Sequence, residues 1–149
     1  MPMSIRWDIL AIEKLRDYSA KKAALESLPA EISRLEADCG RIRSAVTDAT
    51  PIQGGGNMRE DLLLSNICLR EELKQRLADT REWLATMDKA LVELTDEERL
   101  VLGRFYISPH KGSVDRLCEE LGIEKAGVYK RKDKAVRRFA VILYGCTES

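Results

Sequence analysis

The sequence predicts an all-α protein, with a hairpin of two long helices followed by a small helical domain. Apolar residues recur at alternating intervals of three and four along two long stretches, as on one side of a helix. Helix-breaking residues are rare outside one loop, and no stretch shows the two-residue alternation of a half-buried strand. We therefore place the helical hairpin at residues 1–93 and the second domain at residues 94–149.

The first apolar series predicts a helix that packs against a partner helix. Its members are Leu25, Leu28, Ile32, Leu35, Cys39, Ile42 and Val46. This heptad spacing forms a narrow, coiled-coil-like seam. Upstream, the stretch from Ile5 to Tyr18 predicts a looser amphipathic helix. Pro29 is interpreted as the first turn of a new helix, because a proline there loses no needed hydrogen bond.

A glycine-rich loop and a second seam complete the predicted hairpin. The loop lies near residues 50–57, where Pro51 precedes three successive glycines. The second seam consists of Leu69, Leu73, Leu77, Leu84, Met87, Leu91 and Leu94, with Thr80 in its one gap. Two long helices joined by one loop pack most readily as an antiparallel hairpin. Leu62, Leu63, Ile67 and Trp83 lie outside that pairing.

Composition argues against several classes of protein. The 25 basic and 25 acidic residues balance, and the four cysteines are too scattered for a disulfide framework. With a single histidine, His110, we expect no zinc site. The sequence shows no signal peptide and no long apolar run, which predicts a cytoplasmic protein without a membrane partner. No nucleophile elbow, phosphate-binding glycine loop or carboxylate cluster is present, so we predict no enzymatic activity.

The C-terminal domain opens with signals for two short helices. Thr95 followed by Glu98 is a capping box, in which each side chain bonds to the other residue's backbone N–H. The helix that follows should end before Ser108. Ser113 is then interpreted as the N-cap of a second helix, which runs through Leu121.

The next residues fit a helix-turn-helix motif. Cys118 supplies the small residue needed where two helices cross, and Gly122 supplies a residue tolerant of positive φ in the turn. Ile123 and Val128 would anchor the second helix. A plain helical hairpin with a Gly-Ile turn is the alternative. Arg131 stands where an apolar residue is usual, so its aliphatic stem is expected to lie over the core.

The second helix of this motif carries the positive charge of the chain. Residues 125–138 contain seven basic side chains and one acidic, Asp133, which gives a net charge of +6. Such a stripe attracts a polyanion, although a solvated helix face is the alternative. Tyr129 and Lys130 could reach base edges, and Asp133 either orders Lys130 and Arg137 through ion pairs or accepts from a cytosine amine. The predicted DNA-binding residues are Lys125, Ala126, Tyr129, Lys130, Arg131, Asp133, Lys134, Arg137 and Arg138.

These residues also carry a family resemblance. The stretch from Leu94 to Phe139 resembles region 4 of bacterial sigma factors, through Glu98-Arg99-Leu100-Val101-Leu102, Leu121-Gly122-Ile123 and Lys134-Ala135-Val136-Arg137-Arg138. The run from Val128 to Ala135, with the ending Leu143-Tyr144-Gly145, resembles phage and prophage transcriptional regulators of the ArpU and RinA type. The resemblance implies a transcriptional regulator, commonly an activator, that binds double-stranded DNA without a cofactor. It leaves contact with RNA polymerase open, because no sigma region 2 is recognisable.

Two alternatives concern the hairpin. We predict that it makes the protein a homodimer, because Leu62, Leu63, Ile67 and Trp83 would otherwise form an exposed apolar patch. In the alternative, the segment from Ile5 to Tyr18 folds back over them and gives a closed three-helix monomer. A second hypothesis for function is a phage-type structural or assembly adaptor, in which the hairpin mediates protein–protein interaction.

Overall fold

The computed structural model describes residues 4–48 and 56–146, and it confirms the all-α fold. Its helices are α1 (Trp7–Asp48), α2 (Gly56–Val92), α3 (Asp96–Leu102), α4 (Ser113–Leu121) and α5 (Lys125–Tyr144), with a π-helical segment at Gly103–Ile107 after α3. No strand occurs among the described residues. Of the loop predicted near residues 50–57, residues 50–55 lie outside the described part, whereas Gly56 and Asn57 belong to α2. No helix of the described part is long and apolar enough to cross a bilayer.

The interpretation of Pro29 as a helix start is wrong, because α1 continues through it. An internal proline removes one helical hydrogen bond and costs about 3 kcal/mol. The seam nevertheless keeps its phase on both sides, with Leu28 half-buried before the proline and Ile32 and Leu35 buried after it. We attribute the continuous helix to this burial, since a break at Pro29 would turn one half of the seam away from its partner.

The chain divides into two compact units, and the division differs from the boundary expected at residue 93. Residues Lys22–Trp83 form one, here called the hairpin unit. Residues Met1–Lys21 and Leu84–Ser149 form the other, here called the terminal unit. The start of α1 therefore belongs with the C-terminal helices.

Burial explains why the start of α1 joins the terminal unit. Ala11 and Leu15 have no exposed surface. The Ser19 hydroxyl donates to the carbonyl oxygen of Ile107 at 2.8 Å, and the guanidinium of Arg16 lies 5.6 Å from the ring centre of Tyr106. Heptad spacing alone does not reveal this packing, because it identifies a buried face without identifying its partner.

The hairpin unit pairs α1 with α2 through a seam that includes polar residues. Leu35 and Cys39 are buried on α1, as predicted. On α2, however, Leu69 is 45% exposed and Asn66 is buried in its place. The prediction of Leu69 as a seam residue is therefore wrong. The side-chain amide of Asn66 instead donates to the carbonyl oxygen of Leu35 at 2.9 Å, which satisfies a polar group that would otherwise be costly to bury.

The beginnings of α3 and α4 show one correct cap prediction and one wrong one. The capping box is confirmed, because Thr95 N–H donates to Glu98 Oε1 at 2.9 Å and Glu98 N–H donates to Thr95 Oγ1 at 3.2 Å. Ser113 is the first residue of α4 and not its N-cap, which is Gly112. Its hydroxyl turns back to donate to the carbonyl oxygen of His110 at 2.6 Å.

The helix that starts at Asp96 changes its winding before it ends. Over Gly103–Ile107 it is π-helical, and Ser108 N–H donates to the carbonyl oxygen of Gly103 at 2.8 Å, five residues back. The segment buries Tyr106 and leaves Phe105 half-buried beside the core. It stops before Ser108, as predicted.

Candidate nucleic-acid interface

A three-residue turn joins α4 to α5 and sets the direction of α5. Gly122 has a φ of 66°, which confirms the predicted left-handed residue. Its N–H and that of Ile123 both donate to the carbonyl oxygen of Cys118, the latter at 3.2 Å, in the pattern that closes a helix before a sharp turn. A side chain at Gly122 would meet no neighbouring atom, so the backbone conformation and not space favours glycine here.

A compact apolar cluster holds the two helices together. Val101, Leu117 and Val128 are fully or almost fully buried, and Cys118 and Ile123 pack against them. The predicted anchoring residues are thus in place. Because Val128 lies in the first turn of α5, the start of this helix is fixed against α3 and α4.

All nine residues assigned to DNA contact are exposed on α5. They are Lys125, Ala126, Tyr129, Lys130, Arg131, Asp133, Lys134, Arg137 and Arg138. The opposite side of the helix is buried through Ala135, Val136 and Phe139. One side of α5 therefore packs in the core while the other presents cationic and polar groups to solvent.

The exposed cations form two stripes along α5. Lys130 and Arg137 are seven residues apart and therefore lie on one side of the helix. Within residues 4–48 and 56–146, neither has an ion-pair partner. Arg131, Lys134 and Arg138 form the second stripe, about 40–100° around the helix from Lys130. We call these the open stripe and the facing stripe, because the second one faces the start of α3.

The facing stripe contacts carboxylates that sequence reasoning did not assign to it. Arg131 forms an ion pair with Glu97, and Arg138 NH1 lies 3.3 Å from Glu98 Oε1. With Lys134, these residues line a cleft of about 460 Å³. The pairs join residues more than 30 positions apart, so neither helical spacing nor charge patterning could reveal them.

Asp133 does not have the partners predicted for it. It pairs with Lys132, whose Nζ lies 2.7 Å from Oδ1, and not with Lys130 or Arg137. The ammonium of Lys132 also lies 5.6 Å from the ring centre of Phe105 and 5.8 Å from that of Tyr129. Lys132 is half-buried, so its charge is directed towards the protein and not towards solvent.

Local contacts account for the charge state of Lys132. Burial lowers its pKa, but the hydrogen bond to Asp133 and the interaction with Tyr106 outweigh burial and raise the pKa above its ordinary value. A signal for this role was present, because Lys132 follows the buried Val128 by four residues and therefore shares its side of the helix.

Tyr129 is oriented by a neighbouring aromatic ring. It packs edge-on against Phe105, with ring centres 5.6 Å apart, while 41% of its surface stays exposed. Aromatic pairs favour this arrangement. The contact directs the phenol outwards near the start of α5, where a hydroxyl can donate or accept a hydrogen bond.

The arrangement offers cations and hydrogen-bond donors to an anionic partner. Ammonium and guanidinium groups repeat along a rigid helix, which suits the repeated phosphates of a nucleic acid. Among the described residues, no group of three or more His, Cys, Asp or Glu side chains could hold a metal ion.

Comparisons with protein-family models, with curated proteins and with solved structures find no match to this chain. The resemblance to sigma factor region 4 and to phage regulators therefore stays a prediction from the residues that carry it.

Proposed function

We propose that this protein is a sequence-specific transcriptional regulator of the phage or prophage type that places α5 in the major groove of double-stranded DNA. The observation that supports this most strongly is the exposure of all nine predicted contact residues on one well-anchored helix. In this proposal the protein works in the cytoplasm, carries no cofactor and catalyses no reaction.

The dimensions of α5 suit this role. Its 20 residues span about 30 Å, and the major groove of B-DNA is about 12 Å wide, which admits one helix. Ala126 near the helix start is small, so the backbone can come close to the bases. Tyr129 and Lys130 then reach base edges, while Arg137 lies two turns further on and contacts phosphate. Phosphate contacts supply most of the affinity, and base contacts supply the discrimination.

The open stripe provides the direct test of DNA binding. Lys130→Ala combined with Arg137→Ala should weaken binding to a DNA fragment selected from a random pool. If both side chains contact phosphate, the magnitude of the slope of log affinity against log salt should decrease by about 1.8. If Lys130 contacts a base instead, the decrease should be smaller and the variant should lose part of its sequence preference. Fluorescence anisotropy over a salt series measures both quantities.

Lys74→Ala combined with Arg76→Ala is the matched control, since it removes the same charge from exposed positions of α2. It should leave affinity and slope nearly unchanged. If the variant of the open stripe binds like the wild type, α5 is not the DNA-binding element.

A second candidate function is that of a structural or assembly adaptor. It is supported by exposed apolar side chains on α2 in the hairpin unit, namely Met58, Leu62, Leu64, Ile67 and Leu69. Met58, Leu62 and Leu69 lie on one side of α2, and Leu64 and Ile67 lie on the other. Exposed apolar surface of this kind favours a protein partner. The two candidate functions are impaired by different variants. An adaptor would lose its activity when α2 is changed and keep it when the open stripe is changed.

The same side chains support a homodimer, which we include in the proposal. A single helix-turn-helix reads only a few base pairs, and two copies on adjacent half-sites gain both affinity and specificity. Met58, Leu62 and Leu69 follow each other at four and seven residues, so they share one side of α2. Leu63 and Trp83, which were also predicted to lie in the interface, are half-buried within the chain.

A further inference from the structure

Two arginines of the facing stripe are already bound to glutamates within the terminal unit. Arg131 is paired with Glu97, and Arg138 contacts Glu98 and also donates to the carbonyl oxygen of Glu93 at 3.2 Å. The three acceptors come from the junction of α2 and α3. In the geometry described, these guanidinium groups face carboxylates and are not free for an incoming phosphate.

The acceptors are held firmly in place. The guanidinium of Arg99 donates to three carbonyl oxygens at and just after the end of α2, those of Leu91 at 3.1 Å, Val92 at 3.3 Å and Leu94 at 2.7 Å. The capping box fixes Glu98 from the other side. Glu98 and the backbone at Glu93 therefore occupy defined positions beside α5.

The two pairs differ in exposure. Glu98 keeps only 16% of its side-chain surface exposed and serves the capping box as well. Glu97 is 44% exposed and its partner Arg131 is 43% exposed, and no other contact ties Glu97 down among the described residues. Exposed ion pairs contribute little stability, so the pair of Arg131 and Glu97 can open at small cost.

We propose that Glu97 competes with DNA phosphate for Arg131, and so limits how tightly the protein binds DNA. This inference rests on the proposed function. A phosphate can form the same charge-assisted hydrogen bonds with a guanidinium as a carboxylate does. While Arg131 is paired with Glu97, it contacts no phosphate and displaces no counterion from the DNA. When it moves to DNA, the uncovered Glu97 carboxylate repels the nearby phosphates.

Glu97→Gln tests the competition, because it removes the charge and retains the size of the side chain. We expect DNA affinity to rise about twofold to fivefold, the scale set by one exposed ion pair. The slope of log affinity against log salt should become steeper by up to about 0.9, since one more phosphate contact forms. Circular dichroism during heating verifies that the variant is folded.

Glu119→Gln is the control for net charge. Glu119 is exposed on α4 and has no ion-pair partner among the described residues. The variant should show at most a small gain in affinity and no change in slope. If Glu97→Gln gains no more than Glu119→Gln, there is no competition for Arg131.

A double-mutant cycle with Arg131→Ala separates competition from a general effect of charge. In that background Glu97→Gln should gain less, only what the loss of its repulsion of phosphate provides, because the arginine that would be released is absent. An equal gain in both backgrounds would show that Glu97 acts only through its field, and would overturn the proposal. Weaker binding by Glu97→Gln would overturn it too, because it would mean that Glu97 positions Arg131 for DNA.

Binding by the wild-type chain distinguishes a failure of this inference from a failure of the proposed function. If the wild type binds DNA and Glu97→Gln behaves as the control does, only the competition is refuted. If neither the wild type nor any variant binds DNA, the proposed function is refuted and the competition with it.

Discussion

The buried side chain of Asn66 on α2 donates a hydrogen bond to the carbonyl oxygen of Leu35 on α1, at 2.9 Å. The Oδ1 atom of the same amide accepts from Arg70 Nε at 2.8 Å, and the Arg70 guanidinium extends to within 3.6 Å of Cys39 Sγ. One amide thus satisfies groups from both helices of the hairpin unit.

This bond predicts a loss of stability in Asn66→Ala. The substitution removes the acceptor of Arg70 Nε and opens space in the seam, so we expect unfolding to become easier by about 1–3 kcal/mol. Ser65→Ala, at the exposed neighbouring position, should change stability by less than about 0.5 kcal/mol. Urea titration followed by circular dichroism measures both. Equal stability of the two variants would show that the amide contributes nothing.

The burial of Leu15 indicates that the start of α1 stabilises the terminal unit. It is fully buried, so Leu15→Ala should destabilise this unit by about 2–5 kcal/mol. Ile9→Ala is the control on the same helix, because Ile9 is 45% exposed. Trp7 contacts Tyr144, with ring centres 4.9 Å apart and ring planes tilted by 37°. Its fluorescence in a Trp83→Phe background reports on this unit. Similar unfolding of the two variants would contradict the packing described.

The left-handed backbone conformation of Gly122 predicts that a substitution at this position reduces stability. Gly122→Val should destabilise the terminal unit by about 1–3 kcal/mol, because a β-branched residue is strained at a φ of 66°. Gly40→Val is the matched control, since Gly40 lies within α1 and a Cβ there meets no atom within 4 Å. We expect no loss of stability in the control. If Gly122→Val melts as the wild type does, the left-handed turn is not required.

The contacts of Tyr18 predict that the folded protein loses stability at alkaline pH. Burial and a hydrogen bond to Asp88 raise the pKa of Tyr18 to about 12, from an ordinary value of 10.0. Because the pKa is higher in the folded state, its contribution to stability is complete below pH 10.0 and is lost as the pH rises towards about 12. Tyr18→Phe should remove this loss.

Ultraviolet absorbance of the phenolates during a pH titration tests the assignment. The step near pH 12 should vanish in Tyr18→Phe and persist in Tyr129→Phe, which removes another of the four tyrosines. Persistence of the step in Tyr18→Phe would mean that another tyrosine produces it.

The exposed side chains of α2 predict a dimer in solution. Light scattering should give about twice the chain mass of 16.9 kDa at micromolar concentration. Leu62→Glu combined with Leu69→Glu should restore the single-chain mass, because a charge placed in an apolar contact is costly. Glu60→Gln combined with Asp61→Asn serves as a control beside the same surface. A wild-type protein at 16.9 kDa would refute the dimer.

Features that depend on nearby residues could be predicted from the sequence. The capping box of Thr95 and Glu98 is one, and the left-handed Gly122 is another, because each rests on contacts within a few residues. The exposure of the cations on α5 follows from the same logic, since the helical period places them opposite Val128 and Phe139. Local chemistry of this kind needs no knowledge of the partner helix.

Features that depend on distant residues could not be predicted. Asn66 takes the seam position assigned to Leu69 because its amide finds the backbone of Leu35, a partner 31 residues away. Glu97 and Arg131 are separated by 34 residues, so no spacing rule connects them. The preference of proline for the first turn of a helix predicts a helix start at Pro29, but burial on both sides of it outweighs that preference.

The π-helical segment at Gly103–Ile107 has a consequence for insertions and deletions. A π turn contains one residue more than the α turn it replaces, so it is equivalent to a single-residue insertion within a regular helix. Removing Gly103 should therefore let the segment rewind as an ordinary α-helix without breaking it. Because the π turn accommodates the extra residue, the side chains before and after the deletion would keep their relative orientation. An alignment of this chain with any ordinary α-helix consequently needs its gap inside these five residues.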